Sequence, residues 1–186
     1  MSVALVIIVT IDGAGDDMTV LELSPAAMPV EFSIREMIVE GQLAGVRPGD
    51  PRELVHEQLG APDLWSANCP VHAAVIWRYG NFEVHFDGDV VWMLFNDDLD
   101  ALDAGPGRRL SPWIAAPGHV PGPDAVLERL RAEHVSFVVG RDVLDRRVAW
   151  IEGGACLAFD CEEDGVESWF AIEVLLPSRA PNMTPE

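Results

Sequence analysis

Lysine is absent from this 186-residue chain, tyrosine occurs once, at Tyr79, and the twelve basic residues are all arginines, thinly spread against thirty-one carboxylates. Without clustered basic side chains there is no surface to release counterions from phosphate, which excludes nucleic acid as the expected partner. Cysteine is also scarce. Cys69, Cys156 and Cys161 make an odd set, so no disulfide framework is implied and a reducing compartment is the default. No apolar run approaches the roughly 20 residues of a membrane-spanning helix. The opening MSVALVIIVTI lacks the basic start and small-residue cleavage site of a signal peptide. The expectation is a cytoplasmic protein that makes no membrane contact.

What the chain does hold is negative charge and enough apolar residue for a core. The formal net charge is −19 and 49% of residues are hydrophobic. The acidic residues are scattered, so they predict a folded acidic surface whose field suits a basic protein partner.

The best-organised stretch is Val75–Phe95, VIWRYGNFEVHFDGDVVWMLF, and a weaker copy of it lies at Val148–Ile172. Trp77 aligns with Trp150, Gly80 with Gly153, Phe86 with Phe159 and Asp87 with Asp160 at one constant offset, and Trp92 aligns with Trp169 after a longer turn. Gly80 and Asp87-Gly88-Asp89 are tight reversals, so Ala73–Tyr79, Asn81–Asp87 and Val90–Asn96 read as an antiparallel meander. Further strands are expected over Val135–Gly140, Arg147–Glu152, Ala155–Asp160 and Val166–Leu175. Ser33 and Glu36 have capping-box spacing and predict a helix to about Glu40. Asp50-Pro51 and Gly122-Pro123 each predict a helix start, and Trp113 is expected to dock the segment that joins the two copies.

The predicted fold is α+β: two repeated modules, each one or two helices packed on an antiparallel three- to four-stranded meander. The expected organisation is an N-terminal strand and lead-in over 1–32, with the strand at Val3–Ile11 unless translation begins at Met18. A first αβ module over 33–97, an Asp/Gly/Pro-rich linker over 98–120, a second module over 121–176 and a frayed tail over 177–186 follow. Leu54, Ile76, Phe82, Val84 and Phe86 are the expected first core, and Leu127, Ile151, Leu157, Phe159 and Phe170 the second.

The last strand alternates Glu167, Trp169, Ala171 and Glu173 against an apolar set, which predicts Trp169 on the polar, solvent-facing side. By the repeat, Trp92 shares that side, and Trp150 and Trp77 join it. The candidate partner-binding residues are therefore Trp77, Trp92, Trp150 and Trp169 as anchors, with Glu83, His85, Glu167 and Glu173 around them.

The run GVRPGDPRELVHEQLGAPD followed by W-x-Y-G-x-F-E-V-x-F resembles the helix-helix-three-strand module of the outer-membrane assembly lipoprotein BamE (small protein A) and the tandem modules of the β-lactamase inhibitor protein. It is also similar to small uncharacterised actinobacterial immunity-like proteins. The resemblance covers Ser33–Asn96 more fully than Pro121–Leu175. The chain departs from it in having no lipobox cysteine after a signal peptide and no paired cysteines. The resemblance implies a protein-binding module without naming its target.

Other constellations fall short of a site. Cys69-Pro-Val-His72 with Cys156 and Cys161 offers zinc-ligand types but no CxxC pair, and the acidic turns Asn96–Asp100 and Glu162–Gly165 lack calcium-loop spacing. No metal or cofactor is expected. His85 between Glu83 and Asp87 suits acid–base chemistry only if a pocket converges on it. The functional expectation is a non-enzymatic acidic binder, an immunity-type inhibitor of a basic toxin or enzyme. The alternatives are a housekeeping adaptor or inhibitor, and a small hydrolase using His85 and Asp87.

Overall fold

Ser33 starts the first helix as its spacing predicts: its hydroxyl accepts the Glu36 amide at 3.2 Å. That helix, α1 (Ile34–Val39), buries Ile34, Met37 and Ile38. The second, α2 (Arg52–Leu59), begins one residue later than expected, with Pro51 at the cap, because the Asp50 carboxylate accepts the Arg47 amide at 2.7 Å instead. The third, α3 (Pro123–Ala132), carries its proline in the first turn and buries Val126, Leu127 and Leu130. The strands are β1 (Val30–Ser33), β2 (Leu64–Trp65), β3 (Ile76–Tyr79), β4 (Phe82–Asp87), β5 (Val90–Asn96), β6 (Arg108–Ser111), β7 (Phe137–Arg141), β8 (Arg147–Ile151), β9 (Ala155–Cys161), β10 (Glu167–Leu175) and β11 (Thr184–Pro185). The computed structural model describes residues 29–161, 167–179 and 184–185. The expected strand Val3–Ile11 and turn Glu162–Gly165 lie outside the described residues.

Nine strands form one antiparallel sheet in the order β11-β7-β8-β9-β10-β5-β4-β3-β2, and a small parallel pair joins β1 to β6. This overturns the expected α+β fold of two repeated modules. The protein is mostly β, with three α-helices among the described residues, and the two meanders are fused edge to edge. The fusion runs through β5 and β10, paired from Ile172 opposite Asn96 to Leu175 opposite Met93. α1 precedes the first meander in the chain, yet it packs on β9 and β10 of the second.

Helices and the β1/β6 pair cover one face of the sheet, over a core that includes Phe32, Tyr79, Phe82, Leu94, Leu127, Ile151 and Phe159. Of the expected core residues, Leu54, Ile76 and Phe170 are half-buried and the rest are buried. Two arginines are drawn into this core. Arg52 lies over the Trp77 and Phe86 rings and donates to the Ala74 and Gly88 carbonyls, each at 2.8 Å. Arg108 lies over Tyr79 and donates to Asp63 and to the Ala61 carbonyl. Asn96, fully buried, donates to the Asn81 carbonyl at 3.0 Å, and Asn81 in turn holds the Asp98 and Ala101 carbonyls. The segment after β5 is thereby pinned through satisfied polar groups. Within the expected linker, Trp113 packs on the core and donates to Glu133 at 2.9 Å, and β6 pairs with β1. No helix among the described residues is long and apolar enough to cross a membrane.

Candidate functional site

The opposite face of the sheet carries no α-helix among the described residues. Register fixes which side chains share it. Arg78 lies opposite Glu83, Glu83 opposite Phe95, Phe95 opposite Glu173, Glu173 opposite Cys156, Cys156 opposite Trp150, and Trp150 opposite Val138. One row therefore crosses the sheet from β3 to β7 on the helix-free face. A second apolar cluster sits there, with Val148, Cys156, Ala158 and Ala171 buried beneath half-buried Phe95, Trp150 and Phe170.

Two of the four expected anchors are not on this face. Trp77 is 3% and Trp169 is 2% exposed, both within the helix-side core. Trp77 aligns with Trp150 in the sequence, but it pairs with Val84 whereas Trp150 pairs with Cys156, so the two hairpins differ in register by one residue. One residue is enough to send aligned side chains to opposite faces. For Trp169 the cause is a bulge. The register of β10 against β9 shifts between Trp169 and Ala171, leaving Phe170 unpaired. The expected alternation of Glu167, Trp169, Ala171 and Glu173 is thus broken. Trp169 turns to the core, and Ala171 and Glu173 turn to the helix-free face. Glu167 follows Trp169: it accepts from Arg147 at 2.9 Å, and Arg147 also reaches Asp124 on α3.

Of the remaining candidates, His85 touches both Trp92 and Glu83, Glu173 lies across Phe95 from Glu83, and Trp150 stands two strands beyond Glu173. A matching bulge in β5 leaves Trp92 as the extra residue between Val91 and Met93. Val91 enters the core, while the Trp92 ring meets His85 at 5.7 Å and carries the Arg179 guanidinium 5.0 Å above it. Arg179 also pairs with Asp87. His85 stands edge-on to Phe95 as well, at 6.0 Å. Burial pushes the His85 imidazole below its ordinary value against the opposing pull of Glu83. The neutral ring donates its Nε2–H to Glu83 Oε2 at 2.8 Å, since an ionised carboxylate can only accept. Glu173 is shifted the other way. Burial raises its carboxyl above the usual range, with Arg146 3.8 Å away opposing. Arg146 is held by Asp142 at 2.6 Å and lies over the Phe170 ring. The Cys156 thiol beneath this group is pushed up to about 12 by burial, which makes it unreactive.

Sequence reasoning missed Phe95, Phe170 and Arg146 on this face. β5 reads VVWMLFN, apolar on both sides, the signature of a strand covered on both faces, and that signal identifies the strand without saying which residue belongs to which side.

Three of the clefts among the described residues border the sheet. One, of about 600 Å³, lies beside the start of α3 among Asp97, Asp98, Asp100, His119, Glu167 and Phe170. Another is lined by Arg35, Glu133, His134 and Glu152. The third is formed by Ser136, Phe137, Val138, Trp150 and Glu152. None of the three includes His85 or Asp87. No family model, curated protein or solved structure matches the chain. Among the described residues, no three His, Cys, Asp or Glu side chains gather as metal ligands would. What the arrangement offers is a surface of half-buried aromatics edged by carboxylates.

Proposed function

We propose that this chain is a non-enzymatic binder of a basic protein, acting in the cytoplasm as an immunity-type inhibitor, and that the helix-free face of its sheet makes the contact. The observation that carries this reading is the placement of Trp92, Phe95, Trp150 and Phe170, with Glu83 and Glu173, on one sheet face that no helix covers among the described residues. Large half-buried aromatics bring contact area at low entropic cost. Surrounding carboxylates on a chain of net charge −19 steer a basic partner and speed its association. The non-enzymatic part is supported by His85, whose proton is committed to Glu83 and whose ring is packed between Trp92 and Phe95.

The experiment is capture of the partner from the native host, followed by titration of the purified partner with wild-type chain, Trp92→Ala and Trp150→Ala. Each variant should lose about 2 kcal/mol of binding, roughly thirtyfold in affinity, at unchanged melting temperature. Co-expression should relieve the captured protein's toxicity. A partner with no net positive charge, or wild-type affinity in both variants, rejects the reading.

A further inference from the structure

Which backbone groups of β7 point away from β8 follows from the pairing of the two strands. The Glu152 amide donates to the Ser136 carbonyl at 3.1 Å and the Asp142 amide to the Arg146 carbonyl at 3.0 Å. Antiparallel partners alternate between bonded and unbonded pairs. Ser136, Val138, Gly140 and Asp142 therefore turn their amides and carbonyls toward β8, and Phe137, Val139 and Arg141 turn theirs outward. On the outer side β11 runs antiparallel, with Thr184 opposite Arg141 and Pro185 opposite Gly140. The residue without an N–H thus sits at the unbonded position, where none is needed. The pairing stops there: among the described residues, no strand joins Phe137 or Val139 from this side. Beside them, on the helix-free face, Ser136, Val138, Trp150 and Glu152 line the cleft of about 410 Å³, with Val138 51% exposed and Glu152 exposed at the rim.

We propose that the outer edge of β7 is a strand-addition site for an extended, basic segment of the partner, laid antiparallel in continuation of β11. An apolar side chain of that segment fills the cleft between Val138 and Trp150, and a flanking lysine or arginine meets Glu152. Outward amides and carbonyls at Phe137 and Val139 supply main-chain bonds, and the cleft selects the side chain. The seated β11 shows that this edge accepts an antiparallel strand. A second copy of the chain is disfavoured as occupant because it brings two bodies of net charge −19 together. The inference rests on the basic-partner reading given above.

The probe is an end-blocked peptide of about eight residues alternating valine and lysine, added to the full chain, with amide hydrogen exchange followed by NMR. Exchange at the Phe137 and Val139 amides should slow about tenfold or more at saturation, while Val138, already bonded to β8, is unchanged. Val139→Pro removes an outward N–H and leaves the β8 ladder intact, so it should fold and bind the peptide about tenfold more weakly. Val138→Lys, at an exposed side chain, should weaken binding in the same way by filling the cleft with like charge, and it serves if the proline variant does not fold. Protection that survives in both variants, or that falls on other strands, overturns the edge site while leaving a basic partner possible elsewhere. Equal protection by a valine–glutamate peptide overturns the basic-partner reading itself. Sedimentation as a dimer that Val139→Pro abolishes names a second copy as the occupant and overturns the proposal.

Discussion

Two tryptophans that look alike in sequence have different work. Trp169 fills the core, so Trp169→Ala should cost about 3–5 kcal/mol of stability in urea denaturation, the range for an aromatic cavity. Trp150→Ala, at the half-buried surface, should leave the urea midpoint at the wild-type value. Glu173 gives a pH signature. Its folded value is raised, so its favourable contribution is complete below the unfolded carboxylate value and is lost as pH rises through the folded one. Above the unfolded carboxylate value the buried group is therefore a liability, and Glu173→Gln should melt above the wild type at pH 7, with the gap closing toward pH 4. A variant that melts lower at pH 7 contradicts the burial-driven shift. His85 has the opposite sign. Its folded value is lowered, so the stability it contributes is present above the unfolded value and falls away as pH drops through the folded one. At this scale the sequence was partly legible. Alternation of Glu83 and His85 against Phe82, Val84 and Phe86 placed β4 correctly, whereas the faces of Trp77 and Trp169 depended on pairings that no single strand encodes.

The elements themselves were easier to read than their junctions. Gly80, the Asp87–Asp89 reversal, the Ser33 cap and Pro123 each act through local backbone chemistry, and each sits where the sequence predicts. The bulges at Trp92 and Phe170 are properties of two strands in register. β6, RRLS, has no alternation and forms because Val30–Ser33 lies beside it. A junction of another kind joins α1 to the β8–β9 turn. A Cβ on Gly153 would stand 2.0 Å from the Val39 carbonyl oxygen, and one on Gly41, at φ +63°, would stand 2.3 Å from the Gly153 oxygen. Gly153→Ala should therefore cost roughly 2 kcal/mol or more, since backbone must move to admit it. Gly88→Ala, at a φ of +59° with open space around it, should cost about 1 kcal/mol. Thermal melts of the two variants compare steric exclusion with conformational preference directly.

Across the whole molecule, the repeat suggested two bodies and the sheet made one. The sequence could not show this because joining β5 to β10 depends on partners far apart in the chain, and Met93, Leu94 and Phe95 carry no mark of which neighbour they will meet. Denaturation followed by fluorescence and by circular dichroism should give coincident single transitions, because no boundary in the sheet separates the meanders; two resolved transitions would contradict the fused sheet. The β5–β10 seam also sets an order of events at the ribosome. β5 is complete at Asn96 and its partner begins at Glu167. At about 5–20 residues per second the interval between them lasts roughly 4–14 s. Through that interval the nascent first meander carries β5, paired with β4 on one side only, as an open edge strand with two apolar faces, a template for pairing with any neighbouring chain. Slow synthesis or crowded polysomes should therefore favour aggregates seeded by Val90–Asn96, and the yield of folded protein should depend on translation speed and chaperone supply more than on equilibrium stability.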